Sequence, residues 1–217
     1  MDIKICGLKT AETVAAALDG GASHLGFNFF ARSPRYVTPE AAGGLRHAAR
    51  GRAEGVAVIV DADDAFLDEI VSAMSPDMLQ LHGRETPERV AAVKQRYGLP
   101  VMKALAVSEP ADLERIGPYL GVADRFLFDA KPPKGSELPG GNGLAFDWRV
   151  LAELDRGVDY MLSGGLGAAN VGDAVRLLDP PGIDLSSGVE SAPGVKDAGL
   201  IAEFFAAVAA ARTERIA

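Results

Sequence analysis

Eight short apolar runs recur along the chain, and longer segments with helical periodicity separate them. Several runs are almost entirely apolar, which is typical of parallel strands that are covered on both faces. This alternation shows no linker-like change in composition and predicts one α/β domain over residues 1–217, a single closed (β/α)8 TIM barrel. A doubly wound open sheet is the alternative. The predicted strands are 3–6, 24–29, 55–60, 78–81, 101–105, 125–129, 159–162 and 183–185.

Helices are predicted between these strands from capping residues and from apolar spacing. Thr38 and Thr86 each precede a proline, a pattern typical of a helix N-cap followed by the first helical position. Ser108 and Asp147 are further N-cap candidates. Two apolar faces recur at helical spacing. They consist of Phe66, Ile70 and Met74, and of Ile201, Phe204, Phe205 and Val208.

Composition and charge exclude several classes of protein. The 217 residues carry a net charge of −8 with a pI near 4.9. A nucleic-acid-binding surface needs dense Lys and Arg, so no nucleic-acid partner is expected. The one cysteine cannot form an internal disulfide, no apolar run reaches the roughly 20 residues that span a bilayer, and the first residues lack a secretory signal. We expect a cytoplasmic protein with no membrane contact.

Two predicted strands end on a reactive side chain. Cys6 ends the first strand and precedes Gly7, and Asp129 ends the sixth. The carboxyl ends of barrel strands form the active site in this fold, so a thiol and a carboxyl there are candidates for a base and an acid. The alternatives are that Cys6 is a small buried apolar residue and that Asp129 caps the next turn.

The connection over residues 130–145 is long and rich in glycine and proline. Long loops of this kind often close over active sites, and this one starts directly after Asp129. Such a lid would shield Asp129 from bulk water, which favours the protonated carboxyl that a general acid needs. A solvated surface loop is the alternative.

Two glycine clusters, 162–166 and 186–190, follow the last two predicted strands. Glycine lets backbone N–H groups approach an anion closely, and the loops after strands seven and eight are a frequent phosphate site in barrels. Neither cluster matches a nucleotide-binding pattern. The predicted ligand is therefore a phosphorylated metabolite.

Further candidates for substrate contact lie at other strand ends. Arg32 and Arg35 follow the second strand and suit an anionic substrate, although an exposed basic turn is an equal alternative. His82 follows the fourth strand, where it contacts either the substrate or a neighbouring loop. Asp184, within the eighth strand, orients a loop or touches the ligand. No spacing of His, Cys and Asp indicates a metal site.

Taken together and in this order, these segments resemble the phosphoribosylanthranilate isomerase family of tryptophan biosynthesis. The resemblance covers essentially the whole chain and depends on the ordered set of motifs, since any one of them is common. Asn142 departs from the family pattern, in which threonine commonly follows the two glycines. The matching segments are 4–7, 33–35, 80–83, 128–130, 140–141, 146–148, 162–166, 184–190 and 193–197.

The resemblance implies an isomerase that needs no cofactor and no metal. The implied reaction is the Amadori rearrangement of N-(5-phosphoribosyl)anthranilate to the carboxyphenylamino-deoxyribulose 5-phosphate. By the same resemblance, Asp129 protonates the ring oxygen of the sugar and Cys6 removes the proton at C2. Arg35 maps onto the residue that holds the anthranilate carboxylate, and the active protein is expected as a monomer or a homodimer. The implied phosphate-binding residues are Gly164, Gly165, Ser187 and Gly188.

Two other functions remain open from the sequence. The first is another sugar-phosphate barrel enzyme, such as a metal-dependent epimerase or an isomerase that also acts on an aminoaldose of histidine biosynthesis. The second is a non-catalytic phosphometabolite-binding protein, which would keep the glycine loops but would not need Cys6 and Asp129.

Overall fold

Eight parallel strands close into a barrel in the order in which they occur in the chain. β1 pairs with both β2 and β8, which closes the sheet, so the predicted barrel is confirmed and the open-sheet alternative is wrong. The computed structural model describes residues 1–131, 146–155 and 157–216. The strands are β1 Asp2–Cys6, β2 His24–Asn28, β3 Glu54–Ile59, β4 Met78–Leu81, β5 Val101–Val107, β6 Arg125–Ala130, β7 Tyr160–Leu162 and β8 Gly182–Leu185.

In the part of the chain that the structure describes, six α-helices lie outside this barrel. Thr38 and Thr86 cap the second and fourth helices, as predicted, with side-chain oxygens that accept hydrogen bonds from the N–H groups of Ala41 and Arg89. Among the described residues, no helix is long and apolar enough to cross a membrane. The helices are α1 Ala11–Gly20, α2 Pro39–Ala49, α3 Asp64–Met74, α4 Pro87–Tyr97, α5 Val171–Leu178 and α6 Ala198–Ile216.

The segments that follow β5 and β6 are 3-10 helices, Pro110–Tyr119 and Trp148–Glu153, where regular α-helices were expected. Gly117 and Pro118 lie inside the first of them. Proline lacks an N–H group and clashes with the preceding helical turn, and glycine is a poor helix former, so these two residues disfavour a regular α-helix in the last turn of this segment.

The capping predictions for these two 3-10 helices have different outcomes. Asp147 caps the second one by accepting the N–H of Arg149, as predicted. Ser108 was wrongly predicted as the first cap, because the N-cap is Glu109. The N–H groups of Ser108 and Glu109 both donate to the Asp112 carboxylate, at 2.9 and 3.1 Å. The Asp112 carboxylate thus binds the two residues that precede the helix, and Ser108 does not act as its cap.

A short antiparallel hairpin follows β8, the last strand of the barrel. It consists of β9 Glu190–Ala192 and β10 Val195–Lys196, after one 3-10 turn over Ser187–Val189. The hairpin therefore places Glu190 and Lys196 next to each other at the carboxyl end of the barrel.

An apolar layer inside the barrel separates its two ends. On β6, Arg125, Leu127 and Asp129 occupy alternate positions and so point to the same side of the strand. Leu127 belongs to a small buried cluster, distinct from the larger one between sheet and helices. Arg125 therefore lies at the amino end of the interior and Asp129 at the carboxyl end. The inner cluster consists of Val56, Met78, Met102, Ala104, Leu127 and Met161.

Candidate active site

Cys6 is buried at the end of β1, where the chain turns sharply. The next residue, Gly7, has a φ of +83°, a conformation that favours glycine, and its N–H donates to the Gly26 carbonyl at 2.8 Å. A Cβ on Gly7 would also lie 2.7 Å from Cδ of Arg35. The absence of a side chain at this turn therefore lets Arg35 pack directly over the exit of β1.

Charged groups surround the thiol inside the barrel. Nζ of Lys4 lies 2.7 Å from Oδ1 of Asp184, and the Ser163 hydroxyl donates to Oδ2 of Asp184 at 3.0 Å. Burial raises the pKa of the Cys6 thiol, and the ammonium groups of Lys4 and Lys196 act against that rise. The Asp184 carboxylate adds to the rise. The thiol thus lies near two cations, Lys4 and Lys196, and one anion, Asp184.

Asp129 is buried near the end of β6 and lies close to the first glycine loop. Its Oδ1 accepts the N–H of Ala130 at 2.9 Å, and its Oδ2 lies 3.7 Å from Nε2 of His82. The other ring nitrogen of His82 lies 2.8 Å from Nε2 of Gln80. Gly164 has a φ of +86°, and a Cβ there would approach Oδ1 of Asp129 to 3.2 Å. Glycine at 164 therefore leaves room for the carboxylate.

One cavity joins Asp129 to both glycine loops. Asp184 and the loop serines also lie on its wall. Its lining thus combines the predicted acid with three of the four predicted phosphate-binding residues. The lining residues that matter here are Asp129, Ser163, Gly164, Gly165, Asp184 and Ser187.

Gly188, the fourth predicted phosphate-binding residue, lies where the two glycine loops meet. A Cβ on Gly188 would come within 2.0 Å of the Leu166 carbonyl oxygen and 3.1 Å of the Gly167 Cα. Glycine is therefore required here for the close approach of the two loops. Its contact with phosphate stays a prediction.

Arg35 is buried and forms a bidentate ion pair with Glu190. Its Nε and Nη2 lie 2.8 and 2.9 Å from the two carboxylate oxygens. Glu190 also binds Nζ of Lys196 and accepts the N–H of Gly194 at 3.1 Å. Burial opposes ionisation of Glu190, but Arg35 and Lys196 hold the pKa of this carboxyl below its usual value. The residue predicted to hold a substrate carboxylate thus already faces a carboxylate of the protein.

Several residues of this site were missed by the sequence analysis, namely Lys4, Ser163, Glu190 and Lys196. Lys4 could have been found, because it lies two positions before Cys6 on a strand and must point to the same side. Glu190 and Lys196 could not, because their approach to Cys6 and Arg35 depends on how the hairpin folds back. Of the two arginines considered, Arg32 is exposed.

The predicted lid lies mostly outside the described residues. Of residues 130–145, only Ala130 and Lys131 are described, and Nζ of Lys131 lies 2.7 Å from Oδ1 of Asp112. The two glycines at 140–141 and Asn142 belong to the undescribed part. In the described part of the chain, no group of three or more His, Cys, Asp or Glu side chains could hold a metal ion.

The chain matches a family described as N-(5'-phosphoribosyl)anthranilate (PRA) isomerase over residues 3–207. It is 76% identical over 217 residues to the N-(5'-phosphoribosyl)anthranilate isomerase of Mesorhizobium japonicum, covering 100% of this chain and 99% of that one. A crystal structure of monomers of the dimeric enzyme of Thermotoga maritima is 31% identical and superposes with a TM-score of 0.83, covering 97% and 99% of the two chains.

A second solved structure was determined with a bound small molecule. It is a phosphoribosylanthranilate isomerase in complex with reduced 1-(o-carboxyphenylamino)-1-deoxyribulose 5-phosphate, 30% identical with a TM-score of 0.84, over 97% of this chain and 99% of that one. The family model, the Mesorhizobium japonicum relative and both solved structures match this chain over almost its whole length. The chain belongs to the N-(5'-phosphoribosyl)anthranilate isomerase family.

Proposed function

We propose that this chain performs its family's isomerisation, in tryptophan biosynthesis, by general acid/base catalysis with Asp129 as the acid and Cys6 as the base. The substrate is N-(5'-phosphoribosyl)anthranilate and the product is 1-(2-carboxyphenylamino)-1-deoxyribulose 5-phosphate. The observation that carries the proposal is the shared cavity at the carboxyl end of the barrel, which Asp129 lines together with both glycine loops. A phosphate on those loops brings the sugar of the same molecule to Asp129.

The first step opens the sugar ring. The Asp129 carboxyl gives its proton to the ring oxygen, and the bond between this oxygen and C1 breaks. The lone pair of the anthranilate nitrogen forms a double bond to C1, which yields an iminium ion. The proton balances the charge that would otherwise develop on the leaving oxygen, which is the usual contribution of a general acid.

The second step moves the proton at C2. The thiolate of Cys6 takes this proton, the C–H electrons form a double bond between C1 and C2, and the iminium electrons return to the nitrogen. The enolamine then tautomerises to the ketone: its hydroxyl group at C2 gives up a proton, the C2–O double bond forms, and C1 takes up a proton. The iminium nitrogen is the electron sink, so the step balances without an external acceptor.

Binding is assigned to the groups around the two reacting centres. Backbone N–H groups of Gly164, Gly165 and Ser187 would hold the phosphate, since the positive φ of the two glycines, +86° and +64°, brings the backbone close to the cavity. Arg35 would hold the anthranilate carboxylate, which must share the guanidinium with Glu190. His82 would contact the sugar beside Asp129.

Turnover of freshly prepared phosphoribosylanthranilate tests the proposal, followed as loss of anthranilate fluorescence in the presence of a chelator. The parent should exceed the spontaneous rate, and Asp129→Asn and Cys6→Ser should each lose most of this activity. If both variants turn over the substrate like the parent, the acid/base assignment is wrong. Binding without turnover in the parent would favour the non-catalytic binding protein.

Three further predictions belong to the proposal. Residues 1–217 form one domain, the protein acts in the cytoplasm, and its active form is a monomer or a homodimer. Sedimentation of the purified chain distinguishes the two assembly states.

A further inference from the structure

Lys4 is a fully buried charge in the barrel interior. Its side chain is 0% exposed, and its partner Asp184 is 6% exposed. Removing an ammonium group from water is costly, and an apolar side chain of similar length would fill the same space without that cost. A stability role alone therefore accounts poorly for lysine at this position.

The ammonium group of Lys4 and the thiol of Cys6 converge on the same space. The two residues alternate on β1, so both side chains point into the barrel. The neighbouring strand β2 contributes Gly26 at this height, and a Cβ there would lie 3.1 Å from both Sγ of Cys6 and Nζ of Lys4. The absence of a side chain at Gly26 thus makes room for this pair.

Hydrogen bonds hold the ammonium group in place. Lys4 and Asp184 are register partners on β1 and β8, and Oδ1 of Asp184 lies 2.7 Å from Nζ. The other carboxylate oxygen accepts the Ser163 hydroxyl at 3.0 Å. Both oxygens of Asp184 are therefore engaged, which fixes the position of the cation below the thiol.

The charged groups that act on Cys6 come from three strands, with Lys4 on β1, Asp184 on β8 and Lys196 on β10. Burial opposes the charge of Lys4, but Asp184 and Cys6 raise the pKa of this ammonium group above its usual value. Burial lowers the pKa of Lys196 below its usual value. Of the two cations, Lys4 is the one whose surroundings preserve its charge.

We propose that Lys4 is a positioning residue whose buried ammonium group, held by an Asp184 carboxylate that Ser163 also binds, stabilises the thiolate of Cys6. The proposal rests on the proposed role of Cys6 as the base. Lys4 does not touch the substrate in this proposal; it acts through the sulfur. Its charge sets the pH range in which the thiolate is available to take the C2 proton.

Alkylation of Cys6 tests this directly, because the chain contains one cysteine and every alkylated molecule is modified there. The rate with iodoacetamide is measured against pH by intact mass for the parent and for Lys4→Met. We expect the midpoint of the rate profile to rise by at least about one pH unit in the variant, the usual effect of losing an adjacent opposite charge. The base-dependent limb of kcat/KM should move in the same direction.

Lys4→Met leaves Asp184 buried without its cation, so the double variant Lys4→Met/Asp184→Asn is measured beside it. This variant removes both charges, and Lys4 acts on Cys6 more strongly than Asp184 does. The midpoint should therefore still rise, by less than in the single variant.

Lys103→Met is the matched control. Lys103 is also buried, 1% exposed, and lies 2.8 Å from the buried carboxylate of Glu85. It alternates on β5 with Val101 and Leu105, which belong to the cluster between sheet and helices, so it faces away from the barrel interior. This variant should lose stability and keep the parental alkylation midpoint.

A folded Lys4→Met or double variant with the parental alkylation midpoint would show that the proposal is wrong. An equal shift in Lys103→Met would also overturn it, because the effect would then reflect a general loss of stability. Alkylation needs no substrate, so this result is independent of turnover. Unimpaired turnover by Cys6→Ser would instead remove the proposed role of Cys6 as the base while leaving the measured effect of Lys4 on the thiol intact.

Discussion

The two ends of the barrel interior both hold charged side chains, but the partners of these charges differ in exposure. At the amino end, Arg125 lies 2.7 Å from Asp2 and 3.2 Å from Asp159, and these two carboxylates are 42% and 54% exposed. His24, which is neutral at pH 7, also lies at this end, 3.3 Å from the exposed carboxylate of Glu54. Carboxylates that reach water lose little hydration, so these pairs cost less than pairs in which both partners are buried.

At the carboxyl end the partners are buried. The carboxylates of Asp184 and Glu190 are 6% and 4% exposed, and each faces a buried lysine or arginine. Buried pairs often contribute less to stability than apolar residues of the same size would. Stability alone accounts for the charges at the amino end, whereas the buried charges at the carboxyl end are consistent with the catalytic roles proposed for that end.

We expect the greatest loss of activity from a substitution at the carboxyl end of β6. Asp129→Asn removes the proposed acid at the carboxyl end of β6, and we expect kcat/KM to fall by about 10³-fold, within the usual contribution of general acid catalysis. The free energy of unfolding, measured by urea denaturation, should stay near the parental value. Turnover within tenfold of the parent would contradict the assignment of Asp129.

A smaller effect is expected where the two glycine loops meet. Gly188→Ala places a methyl group against the Leu166 carbonyl oxygen, so the loops must separate. We expect the unfolding free energy to fall by about 3 kcal/mol, the upper range for overpacking, together with a higher KM. Gly44→Ala is the control, since Gly44 lies inside α2 and a Cβ there meets nothing within 4 Å. Equal losses in both variants would refute the close-approach role of Gly188.

At the amino end, Arg125→Met should affect stability and spare activity. The variant leaves Asp2 and Asp159 without their cation, but both carboxylates can regain water. We expect a loss of about 2 kcal/mol in the unfolding free energy, between the values for exposed and buried pairs. The kcat/KM should match the parent. A large loss of turnover by a stably folded Arg125→Met would show that the two ends are not independent.

The smallest effect concerns His24 and the pH dependence of stability. Burial lowers the pKa of His24 to about 4 from an ordinary value of 6.5, so this residue is neutral in the folded state at pH 7. The unfolded chain then binds the extra proton first, and stability is lost as pH falls from about 6.5 towards 4. Urea denaturation at several pH values should show a shallower decline for His24→Gln than for the parent. Identical slopes would mean that His24 titrates normally.

Much of the fold could be predicted from the sequence because strand periodicity and apolar content are local properties. The fourth strand, 78–81, was predicted with its observed bounds, and the fifth extends two residues beyond the predicted 101–105. The segment after β5 was mispredicted as a regular α-helix, because Gly117 and Pro118 in its last turn disfavour that structure. The local sequence pattern therefore predicts where the strands lie, whereas single residues influence which type of helix packs against them.

The site was predictable only where function follows from position along a strand. The positions of Cys6 and Asp129 at the carboxyl ends of β1 and β6 were predicted because the strand end itself is informative, and their catalytic roles stay predictions. The pairing of Arg35 with Glu190 was not, since 155 positions separate them and no local pattern encodes the contact. Their meeting depends on the closed barrel and on the hairpin after β8.

The two 3-10 segments after β5 and β6 should open locally more easily than the α-helices on the rest of the barrel. Hydrogen bonds in 3-10 helices have poorer geometry than those in α-helices, and β7, which follows the second segment, has only three residues. Backbone amides in this sector should therefore exchange with deuterium sooner than those of α1 to α4. Asp129 lies on β6, between these two segments in the chain, so the same exchange measurement reports on the strand that holds the proposed acid.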